Sequence, residues 1–154
     1  MFTVLLIVHG LCAVALLGAV THQAFAVWWP ARKAAGLVSS FRAVQAAKFR
    51  NGILWLFVIT FVLGALVYPP YRLTVRTYFE TARLWNANGS FELKEQFAVL
   101  AMGMLPFYWL AWRQPLDEAL AGARRATNAI LCFVVWYGFL VGHVLNNIRG
   151  LYGQ

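Results

Sequence analysis

The groups in this 154-residue chain best suited to chemistry are three histidines, His9, His22 and His143, each set in an apolar stretch. Ionisable side chains inside such stretches are costly to bury, so they are the first place to look for function. A neutral imidazole is the ordinary nitrogen ligand of haem iron and of several first-row metals. Glu92, Lys94 and Glu95 stand at the entrance of a further apolar stretch. Arg72, Arg76 and Arg83 recur at helical spacing just before it and suit bidentate contacts with carboxylates. Nucleophile–base arrangements, phosphate loops and paired CxxC motifs are absent, which leaves hydrolase and nucleotide chemistry without support.

Depth decides which histidines can meet. His9 lies about seven residues into the first apolar run, roughly 10 Å below the surface at the helical rise. His143 precedes Arg149 by six residues on a run that returns to the same side, so its depth matches that of His9. First and last helices of an up-and-down bundle are neighbours, and two such imidazoles would ligate one haem iron axially. In this reading Arg72 and Arg76 pair with propionates. Asn146 and Asn147, three and four residues beyond His143, orient an imidazole or a propionate. His22 follows His9 by thirteen residues, on another side of the helix and near the opposite surface, where it has no histidine partner. We read it as structural or interfacial.

Two other readings use the same residues. Each histidine can donate to a backbone carbonyl of a neighbouring helix and serve packing alone. Alternatively His9, His143, Glu92 and Glu95 form a non-haem metal site or an ion pathway, whose mixed nitrogen and oxygen donors suit zinc, iron or manganese.

The elements that must position these groups are membrane spans. The composition is 62% hydrophobic and 12% charged, with a mean hydropathy of +0.65. Soluble domains hold about 45–50% apolar and about 25% charged residues. Four apolar runs account for the excess, at about 2–28, 52–68, 91–112 and 127–148. A helical span needs about 20 residues, and none of the runs shows the period-two alternation of a strand span. Trp28, Trp29, Tyr68, Tyr71, Trp109, Trp112 and Tyr152 fall where interfacial anchors belong. The expected fold is all-α, a single integral membrane domain over 1–154 forming an up-and-down four-helix bundle.

Amphipathic segments fill the connections. Leu37, Phe41 and Val44 recur at helical spacing within 36–49, interleaved with Arg42 and Lys48, as in an interfacial helix. Pro69-Pro70 reads as a turn, followed by an amphipathic helix carrying Tyr71, Val75, Tyr78 and Ala82 on one stripe. The run Asn86 to Ser90 reads as the break that ends it. Asn88-Gly89-Ser90 also fits a glycosylation sequon, a pattern common by chance. Pro115, Asp117, Glu118, Arg124 and Arg125 describe a short solvated turn.

The net charge of +8 sits in these connections, where lipid phosphates and topology explain it, and nucleic acid is not implied. Connections one and three hold eight Lys and Arg against five on the other side. That bias places both termini on the periplasmic side of a bacterial inner membrane. Ala24-Phe25-Ala26 has the shape of a signal cleavage site, but the basic n-region is missing, so the segment is expected to be a retained span. Cys12 and Cys132 lie in different helices at different depths and are not expected to pair.

With His in Val8-His9-Gly10 early in the first helix and in Gly142-His143-Val144 late in the fourth, the chain resembles the small four-helix membrane b-type cytochromes and related haem-binding four-helix proteins. That resemblance implies haem b between helices and electron transfer, with a quinone among the candidate partners. Diheme members use four histidine ligands; three histidines limit this chain to one bis-His haem. The alternative expectation is a cofactor-free accessory or assembly subunit of a larger membrane complex. Membrane lipids and either other membrane subunits or a redox partner are the expected partners.

Overall fold

The computed structural model describes residues 2–29 and 45–152, every long element of which is helical. The amphipathic segment expected at 36–49 falls mostly outside the described residues, apart from a 3-10 turn at Ala46–Phe49. Helix α1 runs from Phe2 to Trp28 without a charged residue. Helix α2 covers Arg50–Tyr71, α3 covers Trp85–Ala111 and α4 covers Ala121–Tyr152.

The first difference from the sequence expectation lies at Pro69-Pro70, which does not turn the chain. Both prolines are inside α2. Neither has an N–H to give to the carbonyls of Ala65 and Leu66, so the ladder loses two bonds there. The path then widens into one π-type turn at Arg72–Arg76 and tightens again into a short helix, Thr77–Thr81. Threonine hydroxyls compensate locally: Thr74 Oγ1 donates to the Pro70 carbonyl at 2.8 Å, and Thr77 Oγ1 to that of Leu73 at 3.1 Å.

The second difference is the reversal itself. It falls at Arg83, whose φ is 57°, and not at Asn86–Ser90, which is helical within α3. Leu84 N–H reaches the Phe79 carbonyl at 2.8 Å and Arg83 N–H that of Glu80 at 3.1 Å. This pair of bonds is the helix-ending motif that normally recruits glycine in the left-handed region. Burial explains the shift. Leu84, Ala87 and Phe91 pack beside Val75, Phe79 and Leu145, a helical spacing that overrides the turn preference of Asn and Gly. Asn88 of the sequon is consequently buried.

Helix α1 packs on α2 and α4, and α3 packs on α4 and α2. Along each pair, rising numbers on one helix meet falling numbers on the other. His9 meets Thr60 while Gln23 meets Ala46; Tyr71 stacks on Phe91 while Arg50 reaches Trp112. Leu16, Val20, Ile53, Phe57, Leu105 and Leu131 occupy the seam between the four. Thr3–Trp28, Ala46–Thr81 and Glu118–Ile148 are each long and apolar enough to cross a membrane. Helix α3, expected as the third span, is not among them, because Asn86, Asn88, Glu92, Lys94, Glu95 and Gln96 dilute its first half.

The third connection is exposed from Arg113 to Ala119, as a solvated turn should be, and the exception is Arg124 in the helix that follows. Arg124 is 7% exposed, and its guanidinium donates to the Asp117 carbonyl at 2.7 Å and to that of Ala111 at 3.4 Å. It thereby satisfies a carbonyl that the end of α3 leaves without an intrahelical partner.

Candidate functional site

Polar side chains collect at two levels of the assembly. At the level far from the chain termini, Gln23, Tyr108 and Asn128 are each fully buried. Gln23 is the hub: its Oε1 accepts from Tyr108 Oη at 2.9 Å and from Asn128 Nδ2 at 3.0 Å. Its Nε2 donates to the Ala46 carbonyl at 3.0 Å. One amide therefore joins α1, the entry to α2, α3 and α4. Nearby, Trp136 Nε1 donates to Thr21 Oγ1 at 3.0 Å, and His22 meets the Phe49 ring edge-on at 4.7 Å between centroids. Both polar atoms of the Gln23 amide are engaged, Asn128 Oδ1 is left over, and the hub reads as a structural joint. Sequence reasoning missed it; the signal was a Gln within an otherwise apolar span.

The second level, nearer the termini, holds the ionisable groups. His9 turns into the seam between α1 and α2, with Nδ1 3.1 Å from the Thr60 carbonyl oxygen. A carbonyl only accepts, so Nδ1 carries the proton and Nε2 is left as a lone-pair acceptor. Gly64, one turn beyond Thr60, makes this approach possible: a methyl group there would stand 3.3 Å from His9 Cε1. Lys94 and Glu95 of α3 are close enough to act electrostatically on the ring. They form an ion pair with each other, and the Lys94 ammonium also lies 4.5 Å above the Phe91 ring centroid. The Lys94 stem passes α4 at Gly138, where an added methyl would be 3.7 Å from its Cγ.

From there the charges continue outward. Arg76 bridges two carboxylates, Glu80 at 2.8 Å and Glu92 at 3.3 Å. Tyr71 stacks on Phe91 with centroids 3.7 Å apart. A cavity of about 240 Å³ opens here, lined among others by Tyr68, Tyr71, Arg76, Asn88, Glu92 and Glu95. Two buried polar atoms of this wall, Tyr71 Oη and Asn88 Oδ1, have no hydrogen-bond partner, and Thr60 Oγ1 behind His9 has none either.

The residues expected to hold a haem are distributed differently. His143 is on the exposed side of α4, its ring parallel to Phe139 with centroids 6.4 Å apart. Asn146 and Asn147 share that exposed side, while Leu145, between His143 and Asn146, is buried. Arg72 is exposed and donates to Tyr68 Oη at 3.3 Å, and Arg76 is engaged by Glu80 and Glu92. Neither this cavity nor a second one, lined among others by Trp85, Tyr137 and Leu145, includes His9 or His143. Among the described residues no three His, Cys, Asp or Glu side chains are grouped to hold a metal ion, so His9, His143, Glu92 and Glu95 are not assembled as one ligand set. Instead His9, Lys94, Glu95, Glu92 and Arg76 come together, with Tyr71 and Thr60 as polar neighbours that sequence reasoning did not single out. Comparison with known protein families, with characterised proteins and with solved structures finds no match to this chain.

Proposed function

We propose that the protein is a membrane-inserted up-and-down helix bundle that takes up and releases protons at His9, as a cofactor-free accessory component of a larger membrane complex. The observation that supports this reading is the row of ionisable groups from the partly exposed Arg76–Glu80–Glu92 cluster, through the Lys94–Glu95 pair, to a half-buried imidazole. Chains of His, Glu and Asp at membrane depth are the usual material of proton relays. The row ends at His9: the seam beyond it is apolar until the Gln23 hub. It therefore has the form of a half-channel entered from one face. His9 Nε2 is the proton-accepting atom, and the Thr60 carbonyl fixes the ring through Nδ1. Glu95 is the carboxylate whose charge is felt at that ring, beside that of Lys94.

Nitrogen NMR of ¹⁵N-imidazole-labelled protein in nanodiscs tests it. Three imidazoles are present, and His9→Gln assigns the one that belongs to the relay. Between about pH 5 and about pH 9 the His9 nitrogens should move between neutral and protonated shifts. Glu95→Gln should displace that transition while leaving the signal of His22 in place. A His9 signal that holds one protonation state throughout that range would rule the relay out.

A second reading, the single-haem electron carrier, has one supporting observation. An imidazole whose Nδ1 is given to a backbone carbonyl presents Nε2 as metal ligands do. The exposed position of His143 does not support it. A visible spectrum decides: a Soret band lost in both His9→Ala and His143→Ala would favour the haem, and a preparation colourless after haem supplementation would remove it.

A further inference from the structure

The cavity beside Tyr71 is more than the mouth of the relay. Its wall is rich in acceptors that nothing in the chain uses. Asn88 is 9% exposed and lines the cavity, yet its Oδ1 has no partner, and neither does the buried Tyr71 hydroxyl. Burying such groups unpaired costs about 1–3 kcal/mol each. Two orphans on one small cavity point to a guest that donates to both.

Charge narrows the guest. Of the side chains that line it, Glu92 and Glu95 are acids and Arg76 is a base, so the wall carries one carboxylate more than it has cations. The pairs use one oxygen of each of these carboxylates, leaving the other oxygens of Glu92 and Glu95 available. Arg72 touches the wall through Tyr68 and does not line the cavity itself. Size narrows the guest further. A volume of about 240 Å³ corresponds to about eight waters, far more than a bare metal ion fills. Tyr68 supplies aromatic wall beside the acceptors, a surface that favours an organic cation over a hydrated one.

We propose that this cavity binds a small organic cation carrying N–H donors, of the size of a short primary alkylammonium ion. The ammonium hydrogens go to Asn88 Oδ1, Tyr71 Oη and a free carboxylate oxygen of Glu92 or Glu95, and the alkyl part lies against the aromatic wall. The proposal deepens the relay reading, because the Glu95 that lines the cavity belongs to the ion pair beside His9.

Ligand-observed saturation-transfer NMR on the full chain in nanodiscs tests it, with ethylammonium as probe. Tetramethylammonium, which has no N–H, and sodium serve as competitors. Ethylammonium should bind saturably and resist both. Tyr71→Phe keeps the ring stacked on Phe91 and removes only the hydroxyl, so binding should weaken about tenfold. Asn88→Leu should abolish it, while His9→Gln should leave it unchanged. Equal binding to the unmodified chain and to Tyr71→Phe, no saturable binding, or displacement by sodium at equal concentration would each overturn the proposal. Lost binding with an intact His9 titration sinks this proposal alone; retained binding with a static His9 sinks the relay alone.

Discussion

Replacing Gln23 by leucine is expected to destabilise the helix assembly by about 2–4 kcal/mol, the largest loss for any single buried polar group here. The substitution keeps an apolar side chain of similar length but removes all three bonds of the hub. Tyr108 Oη, Asn128 Nδ2 and the Ala46 carbonyl then lose their partner, the two side chains in a fully buried seam. Asn128 already has one unpartnered oxygen, so its amide would lose its remaining contact. A bond between membrane helices averages only about 0.6 kcal/mol, and three of them alone fall short of the lower estimate. The remainder comes from stranding the partners. Unfolding of micellar protein by rising SDS measures this directly. The double variant Gln23→Leu with Tyr108→Phe should recover part of the loss, because one stranded hydroxyl disappears with its partner. A Gln23→Leu protein as stable as the unmodified chain would show that the four helices do not meet at this amide.

Gly64→Leu is expected to produce the next largest effect, a loss of about 1–3 kcal/mol, together with release of His9 from Thr60. A Cβ at position 64 would stand 3.3 Å from His9 Cε1, and a leucine adds three further carbons along that line. Either the α1–α2 seam opens or the imidazole swings away. In both cases the 3.1 Å contact to the Thr60 carbonyl breaks, and the ring loses the tautomer that this contact selects. Gly64→Ala is milder, since a shift of a few tenths of an ångström accommodates its methyl. The imidazole nitrogen shifts report the tautomer and separate the two variants. Unchanged His9 shifts in Gly64→Leu would mean that glycine at 64 has no part in seating the ring.

How far the candidate site was legible varies residue by residue. His9 stood out as an imidazole in an apolar run, and its depth near the charged start of the 91–112 segment was readable from the helical rise. Its partner was not. Rotation of α1 about its own axis decides whether His9 faces α2 or α4, and that rotation is set by which side chains fill the seam. Leu16 and Val20 are buried there, which turns His9 to Thr60 and Gly64. His143 illustrates the same point on α4: Leu131, Val134 and Leu145 take the inward positions, and His143 is left on the outside. Glu92 and Arg76 were each visible as polar residues near one depth, but their ion pair depends on the chain reversing at Arg83 and not a few residues later. Asn88 was read as part of a loop, so its burial in the cavity wall could not be foreseen.

Local chemistry, then, was enough to specify an all-helical class and, of the four spans expected, the three apolar enough to cross a membrane among the described residues, because hydropathy and length act within a segment. Which face each helix turns inward, where the chain doubles back after the two prolines, and which charged groups become neighbours were decided only by packing between segments. Burial of Phe79, Leu84 and Phe91 against α4 outweighs the turn preference of Asn-Gly-Ser. That competition between distant contacts and local propensity is what brings Arg76, Glu92, Lys94, Glu95 and His9 into one cluster.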